Sequence, residues 1–325
     1  MRELTREEQI VIEAMKTAGS VMVCSHINPD GDAIGSVIAL TLALKAAGIE
    51  AVATLADDGP APATYAFLDG FDLFVPNSEL APPVCFVALD TPTWDRLGSA
   101  KPLATRAMGT LLIDHHKDNH HFAAYSLIEP DAASTGSIIW HMLPGLGVSP
   151  TPEIASACYV ALMTDTGRFS YGNTTAEALR DAADMIDAGA VATNLYQRVY
   201  EERTPAALAL LGRVLSRITL ANQDRVAYSW MDEKDLEETG ATPEETENII
   251  DVVRQTGGIV VAAFFKVQGD QVKVSLRAKT RRFDVSAVAK EFQGGGHAAA
   301  AGGTVRGTLD EATQQVFQRL PGHFG

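Results

Sequence analysis

Histidine and aspartate are crowded at two points of this sequence. In S-H-I-N-P-D-G-D-A-I-G-S, Ser25 to Ser36, the side chains of His26, Asp30 and Asp32 fall within seven residues that also hold Pro29 and Gly31, residues that shape loops. One imidazole and two carboxylates converging from a tight turn are what a hard-to-borderline divalent cation requires, and no thiolate is offered. The competing expectation is an Asx-rich turn in which Asp32 caps a helix. In D-H-H-K-D-N-H-H, Asp114 to His121, four of the chain's eight histidines fall within seven residues. A surface run of histidines is the alternative, yet the apolar stretch Leu111–Ile113 just before it puts at least Asp114 and His115 at a strand end. Asp90 closes V-C-F-V-A-L-D and Asp165 sits in M-T-D-T-G; alone, an Asp at the end of an element is most often a cap or turn residue. Together, two histidines and four aspartates from four element ends can build two neighbouring octahedral sites that share one carboxylate, the two-metal arrangement used in phosphoester hydrolysis.

Such side chains need a rigid frame, and the hydrophobic pattern supplies one. The apolar runs Val21–Cys24, Ala51–Leu55, Val84–Leu89 and Leu111–Ile113 read as strands. Helical stretches Ala33–Ala47, Ser134–Leu143 and Glu153–Met163 intervene or follow. Alternation of this kind predicts an α/β fold with a mostly parallel sheet flanked by helices. Three of the runs end at Ser25-His26, Asp90 and Asp114, as expected where sites lie beyond the carboxyl ends of strands. Asn194–Ile218 reads as one long helix with Pro205 marking a break or a fresh start. Beyond it, Arg225–Met231, Ile259–Val267 and Gln271–Ala278 read as strands, the last two joined at Gly269-Asp270, a type I′ hairpin signal. Pro243–Thr256 and Val285–Phe292 read as helices. The expected organisation is therefore a metal-binding catalytic domain over 1–193, a helical connector over 194–218 and a smaller α+β substrate-binding domain over 219–325.

The 325 residues, 46% hydrophobic and 21% charged, suit two folded domains and exclude a disordered or low-complexity chain. No stretch approaches the ~18 uninterrupted apolar residues of a membrane span. Met1–Ala14 carries Glu3, Glu7, Glu8 and Glu13, which argues against a signal peptide. Cys24, Cys85 and Cys158 form no C-x-x-C pair, so neither a disulfide framework nor a thiolate zinc site is expected, and the chain reads as cytoplasmic. A net charge of −15 repels long nucleic acid. The charge is uneven: residues 1–218 hold 14 basic against 26 acidic side chains, net −12, and 266–306 hold 8 against 3, net +5. This pattern fits a cation-binding centre followed by an anion-binding tract, or ordinary solvated surface.

The order H-x-x-x-D-x-D, a strand-terminal D, D-H-H and a fourth D in T-D-T-G resembles the DHH phosphoesterase superfamily. The stretch S-L-R-A-K-T-R-R-F-D-V-S-A-V-A-K-E-F-Q-G-G-G-H-A-A-A-A-G-G, Ser275 to Gly303, is similar to the DHH-associated domain of its oligoribonuclease-like branch: an Arg, a V-S helix, then G-G-G-H-x-x-A-A-G. Gln293 stands where many members have another glycine. Physically, Gly294, Gly295 and Gly296 let backbone N–H groups approach an anion. Arg277 can grip a phosphate in a bidentate fork and His297 can donate to it. The alternative is a Gly-Ala packing loop with a structural histidine. The resemblance runs from Val21 to Gly303. Family II pyrophosphatases share the first motifs without the G-G-G-H domain, RecJ-type exonucleases are longer, and the membrane-bound cyclic-dinucleotide phosphodiesterases carry transmembrane helices.

The resemblance implies a manganese-dependent phosphodiesterase of the nanoRNase and 3′-phosphoadenosine 5′-phosphate phosphatase group, with two Mn²⁺ ions per active site and in-line attack of hydroxide on phosphorus. His26, Asp30 and Asp90 would bind one ion, and Asp32, Asp90, His115 and Asp165 the other, Asp90 bridging. His116 would protonate the leaving oxygen or stabilise the transition state, and Asp114 would orient the adjacent histidine. Arg277, Gly294, Gly295, Gly296 and His297 would hold a substrate group remote from the reacting phosphate. The implied partners are short single-stranded oligonucleotides and nucleotides, with no membrane and a homodimer expected. A soluble cyclic-dinucleotide phosphodiesterase, acting on cyclic di-AMP or linear di-adenylate, is the alternative within enzymes. A non-catalytic nucleotide sensor predicts lost metal ligands, and all six are present. A single-strand-binding module needs a basic, aromatic-lined groove, which a charge of −15 and 7% aromatics disfavour.

Overall fold

The computed structural model describes residues 3–57, 59–246, 248–280 and 283–320; Arg281 and Arg282 of the basic tract lie outside them. The chain divides into two units, Met1–Glu201 and Glu202–Gly325.

The first unit runs α1 (Arg6–Ala18), β1 (Ser20–Cys24), α2 (Gly31–Ala46), β2 (Glu50–Thr54), β3 (Cys85–Leu89), α3 (Lys101–Arg106), β4 (Gly109–Asp114), β5 (Tyr125–Ile128), α4 (Thr135–Leu146), α5 (Pro152–Asp165), α6 (Ala176–Asp187) and α7 (Ala192–Tyr196). Its strands form a sheet in the order β2-β1-β3-β4-β5, every pair parallel. Successive side chains of a strand point to opposite faces, and both faces are buried. Val21, Val23, Val87, Leu89, Leu111 and Ile113 pack against α1, α2, α4 and α5. Met22, Cys24, Phe86, Ala88 and Leu112 pack against Leu97, Leu103 and Ala104. The result is the parallel, helix-flanked α/β sheet that the sequence predicts. The strand β5 escapes the sequence pattern because it is short and its first residue, Tyr125, is exposed.

Helix α2 is set by two devices. Asp30 is its N-cap, accepting from the amides of Asp32 and Ala33 at 3.1 Å each. Gly31 and Gly35 then let it lie against α5: a Cβ on Gly31 would stand 2.5 Å from the Thr164 side chain, and one on Gly35 would collide with the Ala157 carbonyl oxygen. Gly136 does the same for α4 against Ala161. The helix expected over Asn194–Ile218, with a break or a fresh start at Pro205, is two helices, and the fresh start falls at Pro205. The helix α7 ends in a π turn at Gln197–Glu201, residues 202–204 are non-helical, and Thr204 caps a new helix, α8 (Pro205–Ser216), with Pro205 at its first position. A prolyl nitrogen has no N–H to give and its ring fixes φ, so it starts a helix and does not continue one.

The second unit continues with β6 (Thr219–Ala221), β7 (Val226–Met231), α9 (Glu233–Thr239), α10 (Ile249–Val253), β8 (Val261–Gln268), β9 (Gln271–Ala278), α11 (Val285–Lys290), β10 (Gly295–His297), β11 (Ala300–Arg306) and α12 (Leu309–Arg319). The sheet order is β10-β11-β9-β8-β7-β6, antiparallel except for β7 beside β8. One face packs on α11 and α12 through Val261, Phe265, Val274 and Leu276. The other packs on α8 and α10 through Ala227, Ala262 and Phe264. In place of one helix over Pro243–Thr256 there is a 3₁₀ turn at Glu244–Thr246 and then α10, which starts at Asn248 in a left-handed conformation (φ 61°). The β8–β9 turn is the two residues Gly269-Asp270, with positive φ at Gly269. Among the described residues, no helix is long and apolar enough to cross a membrane.

Candidate metal centre

Adjacent parallel strands end together, which gathers their last residues at one edge of the sheet. Past β1 come Ser25 and His26, past β3 comes Asp90, and β4 ends on Asp114, followed by His115 and His116. The start of α2 brings Asp30 and Asp32, and the end of α5 brings Asp165. All eight residues singled out from the first unit's sequence meet here. The other two histidines of the run, His120 and His121, are exposed, so half of that run is surface.

Each carboxylate is held by a different local device. The cap of α2 is Asp30 and not Asp32; Asp32 is the second residue of the helix and faces α4. Its Oδ2 accepts from the Thr135 amide at 2.8 Å, and its Oδ1 from the Gly136 amide at 3.0 Å and the Ser36 hydroxyl at 2.9 Å. The start of α4, a positive helix end, thus fixes Asp32 from a hundred residues away. Asp90 takes a left-handed conformation (φ 53°), a strained position for a non-glycine residue. Its amide donates to Ile113 at 3.0 Å, and Thr135 Oγ1 donates to its Oδ1 at 3.2 Å. Asn173 Nδ2 donates to Asp165 Oδ2 at 3.1 Å and to the Ala133 carbonyl at 3.0 Å. Asp114 Oδ1 accepts from the amides of His115 (2.7 Å) and His116 (3.1 Å) and from His116 Nδ1 (2.7 Å), while Asn119 Nδ2 donates to Oδ2. Sequence reasoning missed Thr135, Gly136, Asn119 and Asn173. Only the last two carried a signal, as asparagines within the D-H-H-K-D-N and T-D-T-G-R-F-S-Y-G-N segments.

The donor set fits divalent cations. The Ala132 carbonyl, 3.2 Å from His115 Nδ1, can only accept, so Nδ1 carries the proton and Nε2 presents its lone pair. That Nε2 faces Asp90 Oδ1 at 3.5 Å, Asp32 Oδ2 at 3.7 Å and Asp165 Oδ2 at 3.7 Å. His26 Nε2 lies 3.4 Å from Asp90 Oδ2. These separations exceed hydrogen bonds and match ligand atoms that each stand about 2.1 Å from a shared ion. Ligand atoms of His26, Asp30 and Asp90 lie within 4.8 Å of one another, as do those of Asp32, Asp90 and His115, so Asp90 belongs to both groups. Burial, with the charges of Asp90, Asp165 and Asp30, holds the Asp32 carboxyl well above the usual carboxylate range. Burial also raises Asp165 to about 6, with Asp90 and Asp30 adding to the effect and His115 opposing it. Asp90 goes the other way: burial opposes ionisation, but the adjacent His26 ring and the charges of His116 and His115 prevail. Buried carboxylates repelling one another are what a cation relieves. Burial lowers His116, but the bond to Asp114 and the charges of Asp90, Asp114 and Asp165 outweigh it and raise the ring to about 9.

In the second unit, Ala300 of β11 is in register with both Arg277 of β9 and His297 of β10. Residues directly opposite one another share a face, so Arg277 and His297 flank Ala300 on one face of the sheet. Arg277 Nε donates to Asp251 Oδ1 at 3.1 Å. Gly295 and Gly296 open the strand β10, and Gly294 directly precedes it. A Cβ on Gly294 would overlap the Gly302 carbonyl, and Gly296, at φ 129°, would bring one 2.6 Å from the Ala300 oxygen. These two are glycine because the β10–β11 hairpin closes backbone on backbone; Gly295 alone faces open space.

The sequence matches the DHH family, N-terminal domain, over residues 20–162 and the DHHA1 domain over residues 223–321. It is 34% identical over 323 residues, 96% of this chain and 93% of the relative, to the bifunctional oligoribonuclease and PAP phosphatase NrnA of Thermus thermophilus. It is 26% identical, covering 93% and 94%, to the protein of the same name from Bacillus subtilis. In fold it is similar to an exopolyphosphatase-related protein from Bacteroides fragilis, with a TM-score of 0.88 at 22% identity over 98% of both chains.

Proposed function

Because the chain belongs to the DHH family of metal-dependent phosphoesterases, with a DHHA1 domain following the DHH domain, we propose that it hydrolyses short single-stranded oligonucleotides, dinucleotides included, and 3′-phosphoadenosine 5′-phosphate. The observation that carries this reading is the pair of His/Asp groups joined at Asp90, in a chain whose full-length relatives are named for those two substrates. His26, Asp30 and Asp90 would hold one Mn²⁺ ion, and Asp32, Asp90, His115 and Asp165 a second. When bound, such a pair acidifies water and neutralises charge growing on the phosphoryl oxygens. Thr135, Gly136 and Asn173 keep the carboxylates aimed. His116, fixed through Nδ1 by Asp114, keeps Nε2 for the leaving oxygen, to which it gives a proton. Arg277 and His297 grip a second phosphate or base, and Gly295 leaves room beside them. The protein acts in the cytoplasm as a homodimer, which sedimentation of the purified chain checks.

The test is turnover, with Mn²⁺, of di- to decanucleotides, 3′-phosphoadenosine 5′-phosphate and cyclic di-AMP. Fastest hydrolysis of the shortest oligonucleotides together with release of phosphate from 3′-phosphoadenosine 5′-phosphate is expected. Preference for cyclic di-AMP would replace the reading with that of a soluble cyclic-dinucleotide phosphodiesterase, and cleavage of none of them would overturn it.

A further inference from the structure

Past Asp165 the backbone does something that capping α5 does not require. Gly167 closes the helix in the left-handed way usual for glycine: its amide donates to the Thr164 carbonyl at 3.0 Å, and the Arg168 amide donates to the Met163 carbonyl at 2.8 Å. The left-handed backbone then continues through Arg168 (φ 62°) and Phe169 (φ 59°). Residues with a side chain visit this region singly, so a run that includes two bulky ones is strain of the kind kept where a site needs it. The segment is tied to Thr166, whose Oγ1 accepts from the Phe169 amide at 3.1 Å and whose carbonyl accepts from the amides of Ser170 (3.0 Å) and Tyr171 (2.9 Å). Asn173 then donates to both the carbonyl and Oδ2 of Asp165 at 3.1 Å each, so the loop begins and ends at a residue of the candidate metal centre. The turn parts two neighbouring side chains. Phe169 packs on the core of the first unit, its ring 6.0 Å from that of Tyr159. Arg168 stays partly exposed and lays its guanidinium over the Tyr200 ring, 5.0 Å from the centroid. Among the described residues that guanidinium has no hydrogen bond and no ion pair, although residues 1–218 hold 26 acidic side chains against 14 basic.

We propose that Arg168 is a phosphate-gripping residue of the first unit, binding a phosphate of the substrate other than the one attacked. The inference rests on the proposed hydrolysis of nucleotides and deepens it. A guanidinium stacked on an aromatic ring gives its face to the π-cloud and keeps its N–H groups in plane at the edge. With no protein acceptor on that edge, the fork is held ready for the paired oxygens of a phosphate. Tyr200, in the π turn Gln197–Glu201, is itself braced by Tyr196, ring to ring at 5.3 Å. A platform already fixed in place leaves the clamp less freedom to lose when an anion binds. The attacked phosphate belongs to the cations, since Asp165 and not Arg168 faces His115 and the other carboxylates. A nucleotide chain carries its next phosphate one sugar away, and Arg168 stands three residues from Asp165 on a loop tied at both ends to that residue.

Turnover by the full chain with Mn²⁺ tests this on di-adenylate with and without a 5′-phosphate. Arg168→Asn removes the fork with a residue that tolerates the left-handed backbone, and Arg168→Lys keeps the charge without the fork. In Arg168→Asn the KM for 5′-phosphorylated di-adenylate should rise about tenfold or more, the scale of a hydrogen bond to a charged group, with kcat little changed. The Ki of unphosphorylated di-adenylate, read as a competitor of that reaction, should keep its wild-type value. Arg168→Lys should fall between the two. A merely structural role would lower the urea midpoint and kcat together and weaken both dinucleotides alike; that result, or an unchanged KM in Arg168→Asn, overturns the proposal. If Arg168→Asn fails to fold, Tyr200→Leu, which removes the platform, decides by the same comparison. A wild-type chain that hydrolyses the dinucleotide only without its 5′-phosphate also overturns the proposal. One that hydrolyses neither form brings down the functional reading instead, and the role of Arg168 with it.

Discussion

Asp90 concentrates the chemistry of the site in one side chain. Its two oxygens face different imidazoles, His26 on one side and His115 on the other, and its strained backbone places them there. Removing it should therefore disable both cation groups at once, whereas His116, whose Nδ1 is taken by Asp114, is expected on the proposed mechanism to be dispensable for binding and needed for turnover. Metal analysis and kinetics of the two alanine variants separate these roles. Asp90→Ala is expected to lose bound Mn²⁺ and activity together; His116→Ala should keep its Mn²⁺ and slow by 10²–10⁴-fold, the usual weight of an acid–base partner. Full occupancy and wild-type turnover in Asp90→Ala would refute the shared-ligand arrangement.

Helix packing decides where the carboxylates point. Asp32 and Asp165 ride on α2 and α5, which approach closely because Gly35 offers no Cβ to the Ala157 carbonyl. Gly35→Ala should destabilise the chain by about 1–3 kcal/mol in urea unfolding, the cost of overpacking a filled interface. Gly212 supplies the contrast. It is an exposed position in the interior of α8 with nothing within 4 Å of an added Cβ, so Gly212→Ala should raise stability by roughly 0.5–1 kcal/mol through helix propensity and a less free unfolded chain. Equal effects of the two variants would show that the close approach of α2 and α5 is not what the glycine serves. In the second unit, buried Asp235 at the start of α9 accepts from Arg217 Nη2 at 2.8 Å and from the Asp232 amide at 3.1 Å. Burial raises its carboxyl, but these bonds hold it below the usual range. A carboxylate depressed by folding contributes stability that is present at neutral pH and lost as pH falls through the carboxylate range. Asp235→Asn should lower stability at pH 7 and flatten its decline toward acid; an unchanged acid limb would assign that decline to other groups.

For the molecule as a whole, the division of charge and motifs suggests a division of labour. The acidic stretch, net −12 over 1–218, contains every residue of the candidate metal centre, and the tract of net +5 over 266–306 contains Arg277 and His297. If the tract binds a substrate group away from the reacting phosphate, its contribution must depend on that group being present. Arg277→Ala should then slow hydrolysis of a dinucleotide by the equivalent of about 1.5–3 kcal/mol while sparing a minimal chromogenic phosphodiester that lacks the second group. Equal losses on both substrates would place Arg277 elsewhere in the reaction.

The local pattern of the chain was enough to announce the parallel sheet and the eight residues at its edge. Strand and helix periodicity is local, and a side chain one or two residues past a buried strand has few directions to take. It was also enough for the family, whose motifs are contiguous. What it left open depends on contacts between distant segments. Asp30, not Asp32, caps α2 because α4, a hundred residues on, offers Asp32 better donors in Thr135 and Gly136. Gly294 and Gly296 are spent on hairpin closure because β11 folds back over them. The docking of the 3₁₀ turn at Trp94–Ala100 follows from Gly98 pressed onto Ala56, a long-range fit of one backbone against another that no spacing of residue types along the chain encodes.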